Sequence, residues 1–540
     1  MASTSMRKYA AAALAALACF PVMAHASFAA VTKPPYTDIS SSYAKAEIIE
    51  LYERDLMKGT TETTFSPKKA ITRAEFVTVL NRLLGLKPVD AAVTPFRDTQ
   101  SAAWYYEAVM AAFQLGLVQG KSETSFAPSA SITRQEAAVL LVRALKQETD
   151  ASANEMAGVS DKASISAWAE EAVAKAFELN LLKGDSGGKF RPNDPITREE
   201  AATIVARIVS NEDWADELEQ KPDYGIQLGW QYGQTTAEFE KSVAASTVNT
   251  LSPRWYFLEE GGKLTDHTDK SLIQWASAKG KQVWAMVGNR SDQDLTHEVL
   301  SDAAAREALV GNLASMVSKY GLDGLNIDFE NVAPKDRASM TAFVKSLSSA
   351  LREEGAVLSF NVSPDRGTDW TEAFDYAAIG QAADYVVLMC YDEHWGGSST
   401  AGSVSSLSYV KSSLATLAQA VAPDKIVLAM PYYTRDWTLK ADGSAASSVS
   451  ITLQNQQTLI QTNNAAISWD DQAGQYIATY TKGGYKHRIW AEDGRSIGRK
   501  LEAAASYGLA GYAYWYIGAE TPDIWDSIRN SSVFLQYDFE

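Results

Sequence analysis

Apolar positions recur along this chain with two different periods, and the change of period divides it. Between about residues 33 and 210 they return every three or four positions, as in AEFVTVLNRLLGL (74–86), the stripe of an amphipathic helix. From Tyr224 onward the pattern becomes short apolar runs rich in β-branched and aromatic residues, separated by helix-patterned stretches. The runs are Tyr224–Trp230, Thr250–Leu258, Gln282–Gly288, Leu322–Glu330, Val357–Ser363, Tyr385–Tyr391, Lys425–Pro431 and Leu509–Tyr516. Eight strands alternating with helices predict an α/β fold, a (β/α)8 barrel with insertions, whose chemistry lies at the C-terminal strand ends.

The helical part is a threefold repeat. Each copy carries a glycine, then an aromatic-x-Pro, then Ile-Thr-Arg at fixed spacing. The copies read Gly59, Phe65-Ser66-Pro67, Ile71-Thr72-Arg73; Gly120, Phe126-Ala127-Pro128, Ile132-Thr133-Arg134; and Gly184, Phe190-Arg191-Pro192, Ile196-Thr197-Arg198. Each opens on a segment ending in Asp38, Asp98 or Asp161. Thr-x-x-Glu is a capping box, so a helix starts there. A preceding helix should end at the glycine, making each copy a helix–loop–helix that needs its neighbours to bury enough surface. The expected organisation is repeats at 33–90, 91–150 and 155–210, an acidic linker at 211–222, and the barrel from 223 to 540.

The fourth barrel run is chemically unusual. In Asp323-Gly324-Leu325-Asn326-Ile327-Asp328-Phe329-Glu330 a period of two puts Asn326, Asp328 and Glu330 on one face and Leu325, Ile327 and Phe329 on the other. Carboxylates are costly to bury, so acids in an apolar strand that ends at a barrel mouth point to catalysis. Asp323 reads as structural. Other strand ends are crowded with rings: Tyr391-Asp392-Glu393-His394-Trp395, Tyr432-Tyr433-Thr434-Arg435-Asp436-Trp437 and Tyr514-Trp515-Tyr516. Flat aromatic faces at such a mouth suit pyranose rings.

Two resemblances follow from these motifs. The triplet resembles the S-layer homology domain, which implies non-covalent anchoring to a secondary cell-wall polysaccharide, with Arg73, Arg134 and Arg198 placed to contact an acidic sugar. Each could instead pair only within its own first helical turn. The barrel, through D-G-x-N-x-D-x-E, then M-x-Y-D at Met389–Asp392, then P-x-Y-x-R-x-W at Pro431–Trp437, resembles glycoside hydrolase family 18. It looks nearest the bacterial branch with spore-germination and cortex-lytic N-acetylglucosaminidases, and the stretch from about 438 to 486 resembles that family's small α+β insertion.

The family resemblance implies a retaining hydrolase of β-1,4-linked N-acetylglucosaminyl polymers, peptidoglycan or chitin, using the substrate's acetamido group as nucleophile. It implies Glu330 as acid and then base, Asp328 as the residue orienting the acetamide, Tyr391 as its hydrogen-bond partner, and Trp515 as the floor of the reacting subsite. Asn326, Asp392, Tyr433 and Arg435 are further candidate substrate-binding residues. Asn326 stands where many chitinases carry Asp. It cannot share a proton with Asp328, though it could donate a bond that orients it. The competing expectation is a non-catalytic, lectin-like wall protein.

Composition adjusts this picture in a few places. The formal charge of −17 argues against nucleic acid and anionic membrane surfaces as partners. Arg7, Lys8, the apolar run Ala10–Phe20 and Ala24-His25-Ala26 read as a signal peptide over 1–26, hence a secreted protein at a Gram-positive-type wall. Its removal takes Cys19 and leaves Cys390 alone, so no internal disulfide is expected. With His267, His297, His394 and His487 scattered, neither a metal nor a cofactor is expected.

Overall fold

The computed structural model describes residues 35–535 except 148, 150–155, 157, 213, 215–217 and 219–223. The expected signal peptide, and most of the expected linker, lie outside the described residues.

The repeats supply paired helices α1 (Lys45–Glu53) and α2 (Arg73–Leu83), α3 (Tyr106–Gln114) and α4 (Arg134–Ala144), α5 (Glu170–Glu178) and α6 (Arg198–Val209). The three anticipated capping boxes are all formed, Thr72 with Glu75, Thr133 with Glu136 and Thr197 with Glu200. The aspartates that open each repeat bind the aromatic-x-Pro loop. Asp38 accepts from the N–H groups of Phe65 and Ser66 at 2.9 and 2.8 Å, and Asp98 and Asp161 repeat the arrangement. This holds Ser66, Ala127 and Arg191 in the left-handed region at φ 60°, 58° and 58°. The first helix stops before the glycine rather than at it. Gly59 lies in the tight loop beyond, where a Cβ would meet the Thr64 and Thr61 carbonyls at 2.5 and 2.6 Å.

The isoleucines before the capping threonines close the repeats into a ring. Ile71 N–H donates to the Ile196 carbonyl at 3.0 Å, Ile132 to Ile71 at 3.2 Å and Ile196 to Ile132 at 3.0 Å. One repeat alone would leave its member of this triangle unpaired, which is a physical reason for three copies.

The barrel strands are β1 (Ile226–Gln231), β2 (Thr250–Glu259), β4 (Gln282–Gly288), β5 (Gly324–Asp328), β6 (Val357–Val362), β7 (Tyr385–Met389), β8 (Ile426–Pro431) and β14 (Gly511–Trp515). They pair in parallel in the order β1-β14-β8-β7-β6-β5-β4-β2, and β2 closes on β1. All eight expected runs are strands. Leu325, Ile327 and Phe329 belong to the core between the strands and the outer helices, with Phe329 stacked on Phe343. A second cluster, including Trp230, Trp284, Met286, Val387 and Val427, packs separately from it. β3 (Lys263–Asp266) forms an antiparallel hairpin with β2 that the sequence pattern missed, because KLTD has no apolar run.

The insertion spans more chain than 438–486. It comprises β9 (Tyr433–Leu439), β10 (Ala445–Thr452), β11 (Ala466–Asp470), β12 (Gln475–Lys482) and β13 (Tyr485–Ala491), an antiparallel sheet with one helix at Leu453–Thr462. The end of the first repeat and the second repeat dock on the barrel's last helices. Asn530 bonds both ways with the Lys87 backbone at 2.8 and 2.9 Å, Ser527 donates to Gln114 at 2.7 Å, and Ala92 N–H reaches Asp523 at 3.2 Å. Arg495, in the helix Gly494–Ala505, lies over Phe113 of α3 and over Trp469 of β11 at 4.8 and 3.7 Å.

Candidate active site

A cleft of about 500 Å³ opens at the C-terminal ends of the barrel strands. Asp328, Glu330, Tyr391, Asp392, Tyr433, Arg435 and Trp515 all line it, so the structure brings together the barrel residues singled out from sequence, except Asn326, which is buried beneath. Strand β5 ends at Asp328, and Glu330 follows on the loop, held through its backbone. Asn289 accepts from the Glu330 N–H at 3.0 Å and donates to its carbonyl at 2.8 Å, while Ser291 donates to the carboxylate at 3.3 Å.

Asn326 does not touch Asp328. Its amide carbonyl accepts from Trp230 Nε1 at 2.9 Å and from Ser252 at 3.3 Å. Its Nδ2 donates to Ser359 and to Asn361 Oδ1, both at 2.7 Å. Asn361 Nδ2 then donates to Asp328 Oδ1 at 2.9 Å. The amide at 326 thus fixes the amide at 361, and that one orients the acid. The sequence held a signal for Asn361, a polar residue inside the apolar run VLSFNV, but the pairing spans two strands. Asp323 is structural as expected, accepting from the Val283 N–H at 2.8 Å.

The electrostatics favour one proton between the acids. Burial, and next the charge of Asp328, push Glu330 up to about 7, against the Ser291 bond. Burial also raises Asp328, opposed by the Asn361 bond and by the Arg254 charge. The two carboxyls therefore titrate as a pair. Burial holds the Tyr391 hydroxyl far above its ordinary range, so it is a donor at every working pH. Asp392 adopts a left-handed φ of 56° and accepts from Tyr433 at 2.6 Å. Arg435 donates to Ser448 at 2.9 Å. Trp515 packs edge-on against Trp230 and beside Tyr232. Among the described residues no group of His, Cys, Asp and Glu could hold a metal ion, and Cys390 is buried.

The repeat arginines bridge one repeat to the next. Arg73, Arg134 and Arg198 are only 7%, 6% and 3% exposed, and each binds the next repeat rather than its own first turn. Arg134 donates to the carbonyls of Phe190 and Lys183 at 2.7 and 2.8 Å, pairs with Glu200 at 3.0 Å and lies over the Phe190 ring. Arg198 closes the ring on the first repeat, through Phe65, Lys58 and Glu75 at 2.8, 2.5 and 3.0 Å. Arg73 reaches Phe126, Gln119 and Glu136 at 3.1, 2.9 and 3.5 Å. Arg134 also lines a surface groove between the second and third repeats with Tyr43, Arg191 and Arg207.

Comparison with known proteins fits this geometry. Residues 248–520 match the model of glycosyl hydrolases family 18, and 35–77, 95–138 and 160–202 each match the S-layer homology domain. The chain is 29% identical over 322 residues to the "Uncharacterized glycosylase YvbX" of Bacillus subtilis, covering 57% of this chain and 92% of that one. It is 30% identical over 275 residues to the cortical fragment-lytic enzyme of Bacillus cereus, covering 49% of this chain and 63% of that enzyme. The solved chitinase of Chromobacterium violaceum superposes with a TM-score of 0.53 at 24% identity, over 57% of this chain and 98% of that one. The Bacillus cereus spore cortex-lytic enzyme SleL gives the same score and identity over 58% and 75%. These two structures bear on the fold alone.

Proposed function

Starting from a chain that belongs to glycosyl hydrolase family 18, we propose that it is a wall-anchored retaining glycosidase that cuts β-1,4-linked N-acetylglucosaminyl polymers with help from the substrate's own acetamido group. The observation that carries this reading is Glu330, pushed up to about 7 beside Asp328 in an open, aromatic-lined cleft. A carboxyl with that value is protonated often enough to act as an acid and ionised often enough to act as a base near neutrality.

In the first step Glu330 gives its proton to the glycosidic oxygen as the bond to C1 breaks. The acetamido carbonyl oxygen attacks C1 and forms an oxazolinium ring. Asp328, aimed by Asn361, accepts the acetamido N–H and stabilises the positive charge, and the Tyr391 hydroxyl donates to the acetamido oxygen. In the second step the Glu330 carboxylate takes a proton from water, which attacks C1 from the side the leaving group vacated, breaking the C1–O bond of the oxazolinium ring and restoring the acetamide. Two inversions give net retention. Trp515 stacks under the reacting sugar, and Asp392, Tyr433 and Arg435 contact the same ring or its neighbours. Because Glu330, Asp328 and Tyr391 all line the cleft, a binding-only barrel is the poorer reading.

The repeats match S-layer homology domains, which suggests that they hold the exported protein on a cell-wall polysaccharide. Product release from purified peptidoglycan and from chitin oligomers, read by mass spectrometry, tests the proposal. Glu330→Gln should lower turnover by about 1,000-fold or more while substrate binding persists. Equal product from that variant would remove Glu330 from the mechanism.

A further inference from the structure

The acids of the cleft share it with a cation, Arg254, whose charge acts on them but whose buried Nε has no hydrogen-bond partner among the described residues. Arg254 lies on β2 where the register against β4 slips: Arg254 faces Met286 and Tyr256 faces Val287, so Trp255 is an extra residue. Such a bulge bends a strand and re-aims a side chain, and bulges cluster beside active sites. Here Trp255 and Tyr256 are buried in the core while Arg254 lines the cleft. Its guanidinium lies 5.0 Å from the Tyr232 ring, 5.4 Å from Phe257 and 5.9 Å from Trp515.

Rings hold this group in place, but no described acceptor satisfies it. Nε is buried with no hydrogen-bond partner. Arg435, the other cation of the cleft, has its Nε donated to Ser448. An arginine carries five N–H donors in a planar fork that matches a carboxylate. Leaving a buried donor unpaired costs stability, so an unpaired Nε on a ring-held guanidinium that lines the cleft points to an acceptor supplied by the ligand. The setting narrows the acceptor's chemistry. Asp328, Glu330 and Asp392 face Arg254 and Arg435 across the cleft, and the chain carries a formal charge of −17, so without Arg254 an anionic substrate would meet a net negative wall.

The position is specific as well. Arg254 borders both the catalytic cleft and an adjoining hollow lined by Gln231, Tyr232, Thr235, Phe257 and His267. A sugar placed there neighbours the one stacked on Trp515.

Resting on the glycosidase reading above, we propose that Arg254 is a specificity residue binding a carboxylate on the sugar next to the one being cleaved. The substrate is then an N-acetylated amino-sugar polymer carrying acidic substituents, with the free lactyl carboxylates of peptidoglycan glycan as a fitting source.

The experiment compares kcat/KM on peptide-stripped peptidoglycan glycan strands with kcat/KM on the same strands after methyl esterification of their carboxyls. The full-length protein should prefer the free acid. In Arg254→Leu that preference should fall about tenfold or more, mainly through KM, the size expected for a charge-assisted pair. Arg254→Lys should keep part of it. A ratio unchanged by Arg254→Leu, or a proportional loss on both substrates with only a displaced pH profile, would overturn the proposal and leave Arg254 as a charge that tunes the acids. If neither strand is cut, the glycosidase reading fails. Binding of free and esterified strands to the Glu330→Gln variant then still decides, and equal affinities refute the role given to Arg254.

Discussion

Replacing Glu330 with glutamine should stabilise the barrel, and by an amount that grows with pH. The wild-type carboxyl sits at about 7 where an unburied one sits at 4.5. The native state therefore holds a proton that the unfolded chain releases between those values, and stability falls as pH rises through that window. At about 1.4 kcal/mol per pKa unit the accumulated cost is about 3 kcal/mol above pH 7. It vanishes below 4.5, where both states are protonated. The amide in Glu330→Gln carries no charge to desolvate, and it also relieves Asp328 of a repelling neighbour.

Urea unfolding of both proteins from about pH 4 to about pH 8 is the assay, followed on the barrel's own transition, because the repeats can unfold separately. The difference should be small and constant at the acid end, then widen to about 3 kcal/mol. A difference that does not change with pH would refute the assignment of a buried, proton-holding Glu330.

Asn361→Ala removes the donor to Asp328 and one of the two acceptors of the Asn326 amide. Turnover should fall about 10- to 100-fold, and the acid limb of kcat/KM should move upward because the Asn361 bond lowers the Asp328 carboxyl; an unmoved limb would show that Asn361 does not set that acid. Arg198→Met removes the bonds to Phe65, Lys58 and Glu75, and breaking such a buried pair costs about 3–5 kcal/mol. Hydrogen exchange should rise in the first repeat, far along the chain from the substitution, and a rise confined to the third repeat would contradict the closed ring.

The parts legible in the sequence were those decided by local pattern. Eight apolar runs gave eight strands, and Thr-x-x-Glu gave three capped helices, because each depends on residues a few positions apart. Acids in an apolar strand marked Asp328 and Glu330 because burying charge is costly enough to demand a reason. What stayed hidden depends on pairing across the fold. The oriented amide chain joins β5 to β6, so Asn361 looked like one more strand residue. Arg254 enters the cleft through a register slip that no local pattern records. The partners of the repeat arginines stayed hidden because they lie a whole repeat away, at Phe126, Phe190 and Phe65. The leading cause of the Glu330 shift was also hidden: repulsion between the acids was readable, but burial, which depends on the closed barrel, contributes more.

The bonds from Lys87, Ala92 and Gln114 to the barrel's last helix have a consequence for where cutting can occur. A free tether as long as residues 211–222 would let a catalytic unit wander about 20 Å from its attachment. Docked as it is, the cleft keeps a fixed stand-off from whatever the repeats grip. On the proposed function, with the repeats on a wall polymer, the protein would not sweep a volume in search of strands. It would sample only the glycan that runs past at one height and one angle, and the spacing between anchor polymer and target strand would become part of its selectivity.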